Sequence, residues 1–112
     1  MTQQWVQQSK SVYNVNRWSE GYFDINAAGE LCVCPLSTES GHSINLSTLC
    51  QELKTSGLTF PILVRFTDIL SHRVTTLVNA FAKAKAERGY KGTYTAVYPI
   101  KVNQQFSVVD KI

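Results

Sequence analysis

The sequence lacks several features that mark whole classes of proteins. It contains no apolar run long enough to cross a bilayer, and its first residues lack the basic segment and apolar core of a signal peptide. Its net charge is only +3, and the lysines and arginines are scattered rather than clustered on one face. We therefore expect no membrane or nucleic-acid partner, and a cytoplasmic location.

The chain is also short of cysteine. Its three cysteines, an odd number, do not make a disulfide framework, and a reducing compartment is the expectation. Cys32 and Cys34 alternate along a predicted strand and so share one face. With Cys50 and His42 they could be imagined as a zinc site, but the spacing fits no standard zinc pattern. We interpret them as small buried or half-buried thiols and predict no metal site.

Residues 1–59 are predicted to form a first segment that contains a β-hairpin. Residues 1–12 are polar and rich in glutamine, so we expect a loose lead-in. The alternation over residues 22–25 resumes at residues 31–33, and Gly29 closes the intervening turn.

A short helix is predicted to end this first segment. The apolar residues of the helix recur at i, i+3, i+4 and i+7, and they are Leu46, Leu49, Cys50 and Leu53. Asn45 or Ser47 can cap its start, and Gly57 follows as a left-handed stop.

Residues 60–112 are predicted to form a strand–helix–strand unit. Two apolar runs, Phe60–Phe66 and Thr95–Ile100, have the composition of strands buried on both faces, as in a parallel sheet. Between them a helical stripe predicts a long helix from Thr67 or Asp68 to the vicinity of Arg88, with Gly89 as its stop. A further helical pattern begins after Asn103. The fold class is therefore α/β, and the unit is βαβ with a right-handed crossover.

Arg65 lies on the predicted first strand, on the face opposite Val64 and Phe66. An arginine that points into a sheet or barrel needs an anionic partner. It would serve either in a structural ion pair or near the mouth of an anion-binding site.

Lys101 follows the second apolar run, where the predicted strand ends. An ammonium group beside apolar walls is poorly solvated, which favours the neutral amine. Such an amine attacks carbonyls, as Schiff-base lysines do. The alternative is a strand-end lysine that extends into water. Pro99 has no N–H to donate to a neighbouring strand, so we expect a break or bulge just before Lys101.

Three stretches of the sequence resemble one enzyme family, the biosynthetic arginine decarboxylases of the alanine-racemase-like barrel class. They are Tyr13-Asn-Val-Asn-Arg-Trp-Ser-Glu-Gly-Tyr-Phe-Asp-Ile-Asn26, Phe60-Pro-Ile-Leu-Val-Arg-Phe-Thr-Asp-Ile-Leu70 and Tyr98-Pro-Ile-Lys-Val-Asn-Gln-Gln105. The resemblance implies that Lys101 is the Schiff-base lysine of pyridoxal 5'-phosphate. It also implies L-arginine as substrate, agmatine and carbon dioxide as products, a role in putrescine and spermidine synthesis, a homo-oligomeric complete enzyme and an association with magnesium.

Two of these assignments have alternatives. Asn103 is predicted either to hydrogen-bond the cofactor or to hold the lysine's backbone. The chain could also derive from another barrel-type decarboxylase, acting on ornithine or diaminopimelate, or be a non-catalytic interaction fragment.

The expected architecture is the start of a (β/α)8 TIM-type barrel, preceded by the hairpin and short helix. The resemblance implies that residues 1–59 are part of a β-domain in the complete enzyme. Such a barrel has eight strand–helix repeats in about 250 residues, and the sequence supplies one βαβ unit. We therefore expect an N-terminal piece of a longer enzyme that is inactive by itself.

Overall fold

A computed structural model describes residues 2–112. They form a mixed α/β structure of two compact units, the first ending at Arg65 and the second running over Phe66–Ile112. The first unit contains a three-stranded antiparallel sheet with helices, and the second contains helices and extended segments. No helix among these residues is both long enough and apolar enough to cross a membrane.

The predicted hairpin is confirmed. Strands β1 (Phe23–Ile25) and β2 (Leu31–Val33) pair antiparallel, and a third strand, β3 (Ile44–Asn45), pairs with the other edge of β2. The connecting turn is built by Asn26, whose Oδ1 accepts hydrogen bonds from the backbone N–H groups of Ala28 and Glu30, each at 2.9 Å. An asparagine that bonds its own turn in this way stabilises the reversal locally.

The prediction of a loose lead-in over residues 1–12 is wrong. Helix α1 covers Gln3–Val12, and helix α2 follows at Val15–Ser19. Val6 packs with Val15 and Ile25 in the core of the first unit. Only one residue of α1 is buried, and the polar composition of the segment hid this amphipathic helix from the sequence analysis. Docking of its one apolar face stabilises the helix.

The predicted short helix is confirmed as α3, Leu46–Thr55. Its N-cap is Asn45, whose side-chain oxygen accepts a hydrogen bond from the N–H of Thr48 at 3.1 Å. This bond satisfies one of the backbone donors that a helix start leaves unpaired. A single 3-10 turn, Thr38–Ser40, lies between β2 and β3.

The predicted long helix is confirmed as α4, Thr67–Arg88, which ends at Gly89 in the left-handed conformation with φ of 61°. The helical pattern after Asn103 is confirmed as α5, Phe106–Val109. Val108 of α5 is the buried residue of the second unit.

The segments Phe60–Phe66 and Thr95–Ile100, which were predicted as strands, lie outside any strand of the described chain. The βαβ unit and its crossover therefore stay a prediction. A strand of a parallel sheet is held by hydrogen bonds to neighbours on one or both sides. The described residues offer these segments no such neighbour, so their apolar side chains remain largely exposed, Val97 by 82% and Leu63 by 76%.

Candidate functional site

Lys101 lies in a tight turn of the second unit. The turn follows Pro99, whose carbonyl oxygen accepts a hydrogen bond from the N–H of Lys101 at 2.7 Å. The side chain of Lys101 is exposed. The chain does bend at Pro99, as expected, but there is no ladder here for the proline to break.

The residues around this turn are tied together by hydrogen bonds. The hydroxyl of Tyr98 donates to the backbone carbonyl oxygen of Asn103 at 3.2 Å. The side-chain oxygen of Asn103 accepts from the N–H of Gln105 at 3.0 Å, directly before α5 begins. Asn103 therefore holds the backbone after Lys101. The Tyr98 bond was not foreseen, because the sequence predicted a strand over Thr95–Ile100 rather than a turn.

A cleft of about 260 Å³ lies near this segment, but Lys101 is not part of its wall. The cleft is apolar, and it is lined by Val74, Leu77, Tyr94, Ala96, Val97, Tyr98 and Ile112. Tyr94 stacks on Phe81 of α4, with ring centroids 4.1 Å apart and planes 9° apart. This stacking anchors the segment before Lys101 to α4.

Arg65 is exposed and ends the first unit, whereas Lys101 and Asn103 belong to the second. Neither role foreseen for Arg65 is tested by this arrangement.

A second cleft, of about 170 Å³, lies in the first unit beside two thiols. Its wall is formed by Asp24, Asn26, Cys32, Cys34, Thr38, Gly41, His42 and Ser43. Cys32 lies on β2 and Cys34 directly follows it; both are buried and free, as expected, whereas Cys50 is exposed. Within residues 2–112 the structure gathers no group of three or more metal-ligating side chains.

Burial raises the pKa of both thiols, because the charged thiolate is poorly solvated there. For Cys32 the neighbouring charge of Glu30 adds to this effect, and for Cys34 the charge of Asp24 does. Both groups are therefore neutral thiols, which are weak nucleophiles.

The described residues thus define a mixed α/β chain with an exposed lysine on a proline turn.

No protein-family model matches the chain. It is homologous to one segment of the biosynthetic arginine decarboxylases. It is 52% identical to the enzyme of Marinobacter nauticus over 101 residues, which are 90% of this chain and 16% of that protein.

Two further relatives carry the same description. The chain is 49% identical to biosynthetic arginine decarboxylase of Aeromonas hydrophila over 93% of its own length and 16% of the relative. It is also 49% identical to that of Chromobacterium violaceum over 96% of its own length and 17% of the relative. The chain spans about one sixth of the length of the curated relatives it matches.

Lys101 is the one described residue that we match to a requirement of pyridoxal phosphate. The exposed amine of Lys101 can be reached by an aldehyde, as the covalent link to that cofactor requires. We assign no residue among 2–112 to the cofactor's phosphate or to its ring nitrogen.

Proposed function

We propose that this chain is the lysine-bearing segment of a pyridoxal phosphate-dependent arginine decarboxylase. The observation that carries the proposal is the homology to proteins described as biosynthetic arginine decarboxylases, over at least 90% of the chain in the three relatives compared. Lys101 supports it, because its amine is exposed on a turn fixed at Pro99. In the complete enzyme residues 60–112 would form the first βαβ portion of a (β/α)8 barrel.

The reaction would convert L-arginine to agmatine and carbon dioxide in putrescine and spermidine synthesis. The bond between the α-carbon and the carboxylate breaks, carbon dioxide leaves, and the α-carbon takes up a proton. When bound, the cofactor supplies the electron sink for this step. Lys101 would hold it as a Schiff base, and Asn103 would hold the backbone beside it or contact the cofactor. Magnesium and homo-oligomerisation are further properties proposed for the complete enzyme.

The first test is covalent labelling of the complete protein. It is loaded with pyridoxal phosphate, reduced with borohydride and digested, and the peptides are identified by mass spectrometry. We expect the label on Lys101 and its loss in Lys101→Ala. Lys91→Ala is the matched control, because Lys91 is an exposed lysine in the same unit. Label on Lys91 instead of Lys101, or normal turnover by Lys101→Ala, would refute the assignment.

The second test identifies the substrate. Carbon dioxide released together with agmatine supports the arginine enzyme, whereas putrescine or lysine as product would show an ornithine or diaminopimelate decarboxylase. The isolated 112 residues should release no carbon dioxide from arginine, because they hold no residue that we assign to the cofactor's phosphate.

A non-catalytic interaction fragment is the second candidate function. The observation that favours it is the exposure of large apolar side chains on the helices of the first unit, among them Trp5 by 60% and Val12 by 71%. The labelling test separates the two functions, because an interaction fragment would carry no cofactor on Lys101.

A further inference from the structure

We infer that Tyr98 is a positioning residue for Lys101, acting through the hydrogen bond between its hydroxyl and the carbonyl oxygen of Asn103. This inference rests on the proposed function of Lys101 and concerns a different residue. It names Tyr98 as the group that fixes the backbone from which the reactive amine projects.

The hydrogen bond closes a ring of chain around Lys101. The two residues that it joins are five positions apart, and Lys101 lies between them. Inside the ring the N–H of Lys101 donates to the carbonyl oxygen of Pro99 at 2.7 Å. The backbone of Lys101 is thus held from both sides.

Both ends of the ring are anchored to the rest of the second unit. At the start, Tyr98 is half-buried and lines the same cleft as Leu77 of α4. At the end, the side chain of Asn103 bonds the N–H of Gln105, and α5 follows with Val108 buried. A bond between anchored ends restricts the loop, whereas a bond between two free ends would restrict little.

In the described chain Lys101 lies outside any strand, and the bonds that hold its backbone are its own bond to Pro99 and the bond from Tyr98 to Asn103. The lysine side chain is long and flexible, so the position of its amine depends on the position of its Cα. Attack on an aldehyde requires the amine in a defined place, and a loosened backbone lowers the fraction of time spent there.

Tyr98→Phe tests the inference in the complete protein, because it removes the hydroxyl oxygen and keeps the aromatic ring. A hydrogen bond of ordinary net strength corresponds to a change of about five-fold in an equilibrium. We expect the pyridoxal phosphate concentration for half-maximal reducible label on Lys101 to rise by about that factor. Label on the exposed Lys91 serves as an internal reference, since general unfolding would change both lysines.

The matched control is Tyr94→Phe. It makes the same chemical change four residues earlier, and it retains the ring that stacks on Phe81. Hydrogen exchange gives an independent readout: amides 100–104 should exchange faster in Tyr98→Phe than in Tyr94→Phe, while amides of α4 remain unchanged.

The outcomes separate the two proposals. If wild-type protein takes no label on Lys101, the proposed function fails. If it does, but Tyr98→Phe matches Tyr94→Phe in labelling and in exchange over residues 100–104, the positioning role of Tyr98 is refuted while the function of Lys101 stands. Equal losses of protection in the loop and in α4 would also refute it, because the effect would then be a general one.

Discussion

Replacing Asn45 tests how the sheet of the first unit is joined to α3. Its side-chain oxygen caps α3 through the N–H of Thr48, and its side-chain nitrogen donates to the carboxylate of Glu30 at 2.5 Å. Glu30 follows the hairpin turn, and the same carboxylate oxygen accepts from Asn26 at 3.2 Å. One residue thus links the hairpin to the helix across 15 positions of sequence.

The magnitude follows from these two contacts. Loss of an N-cap costs about 1 kcal/mol. A hydrogen bond to a charged group contributes about 1.5–3 kcal/mol when buried, and we take about 1 kcal/mol here because Glu30 is only half-buried and water competes. Asn45→Ala should therefore lower the free energy of unfolding by about 2 kcal/mol. Asn45→Ser keeps a capping hydroxyl and loses only the Glu30 contact, so it should cost about 1 kcal/mol.

Urea unfolding followed by tryptophan fluorescence measures this, because both tryptophans, Trp5 and Trp18, lie in the first unit. Ser47→Ala is the control, an exposed change on the first turn of α3 that should cost under about 0.5 kcal/mol. Equal stability of Asn45→Ser and Asn45→Ala would show that the cap contributes nothing. Equal stability of Asn45→Ser and wild type would show that the bond to Glu30 contributes nothing.

Two further predictions concern the core of the first unit. Val33 is fully buried, so Val33→Ala should lower the free energy of unfolding by about 2 kcal/mol through loss of apolar burial and a residual cavity. Leu31→Ala is the control in the same urea assay and should cost less, because the Leu31 side chain is 38% exposed. Equal costs for the two changes would contradict the core assignment of Val33. Burial raises the pKa of Cys32 and Cys34 above the ordinary value of 9.0, so the fold favours the protonated thiols. Their contribution to stability is complete below pH 9.0 and is lost as the pH rises from there through the folded-state pKa. Unfolding curves measured on either side of pH 9.0 check this loss of stability. In the native protein a thiol reagent should modify the exposed Cys50 well before the buried Cys32 and Cys34.

The elements that sequence analysis predicted correctly are those whose signals are local. The alternation in residues 22–33 predicts the hairpin because successive side chains of a strand point to opposite faces. Asn45 and Gly89 mark the two kinds of helix end, since a short polar side chain can cap a first turn and glycine tolerates a positive φ. The homology to arginine decarboxylases likewise accords with the motif around Lys101 that the sequence alone displays.

The structural features that sequence analysis missed depend on residues distant in sequence. Helix α1 owes its position to Val6, which packs on Val15 and Ile25, and to an ion pair of 2.6 Å between Lys10 and Asp24. A polar sequence does not reveal such partners. Residues 60–66 and 95–100 have the composition of strands, yet composition supplies no neighbour to accept their hydrogen bonds.

The sequence by itself therefore determined the hairpin, the cap of α3, the stop of α4 and the lysine motif, because each depends on residues a few positions apart. Tertiary structure decided the docking of α1 through Val6 and Lys10, and the stacking of Tyr94 on Phe81. These contacts form only when separate segments meet, so no local sequence pattern predicts their contribution to the free energy of folding.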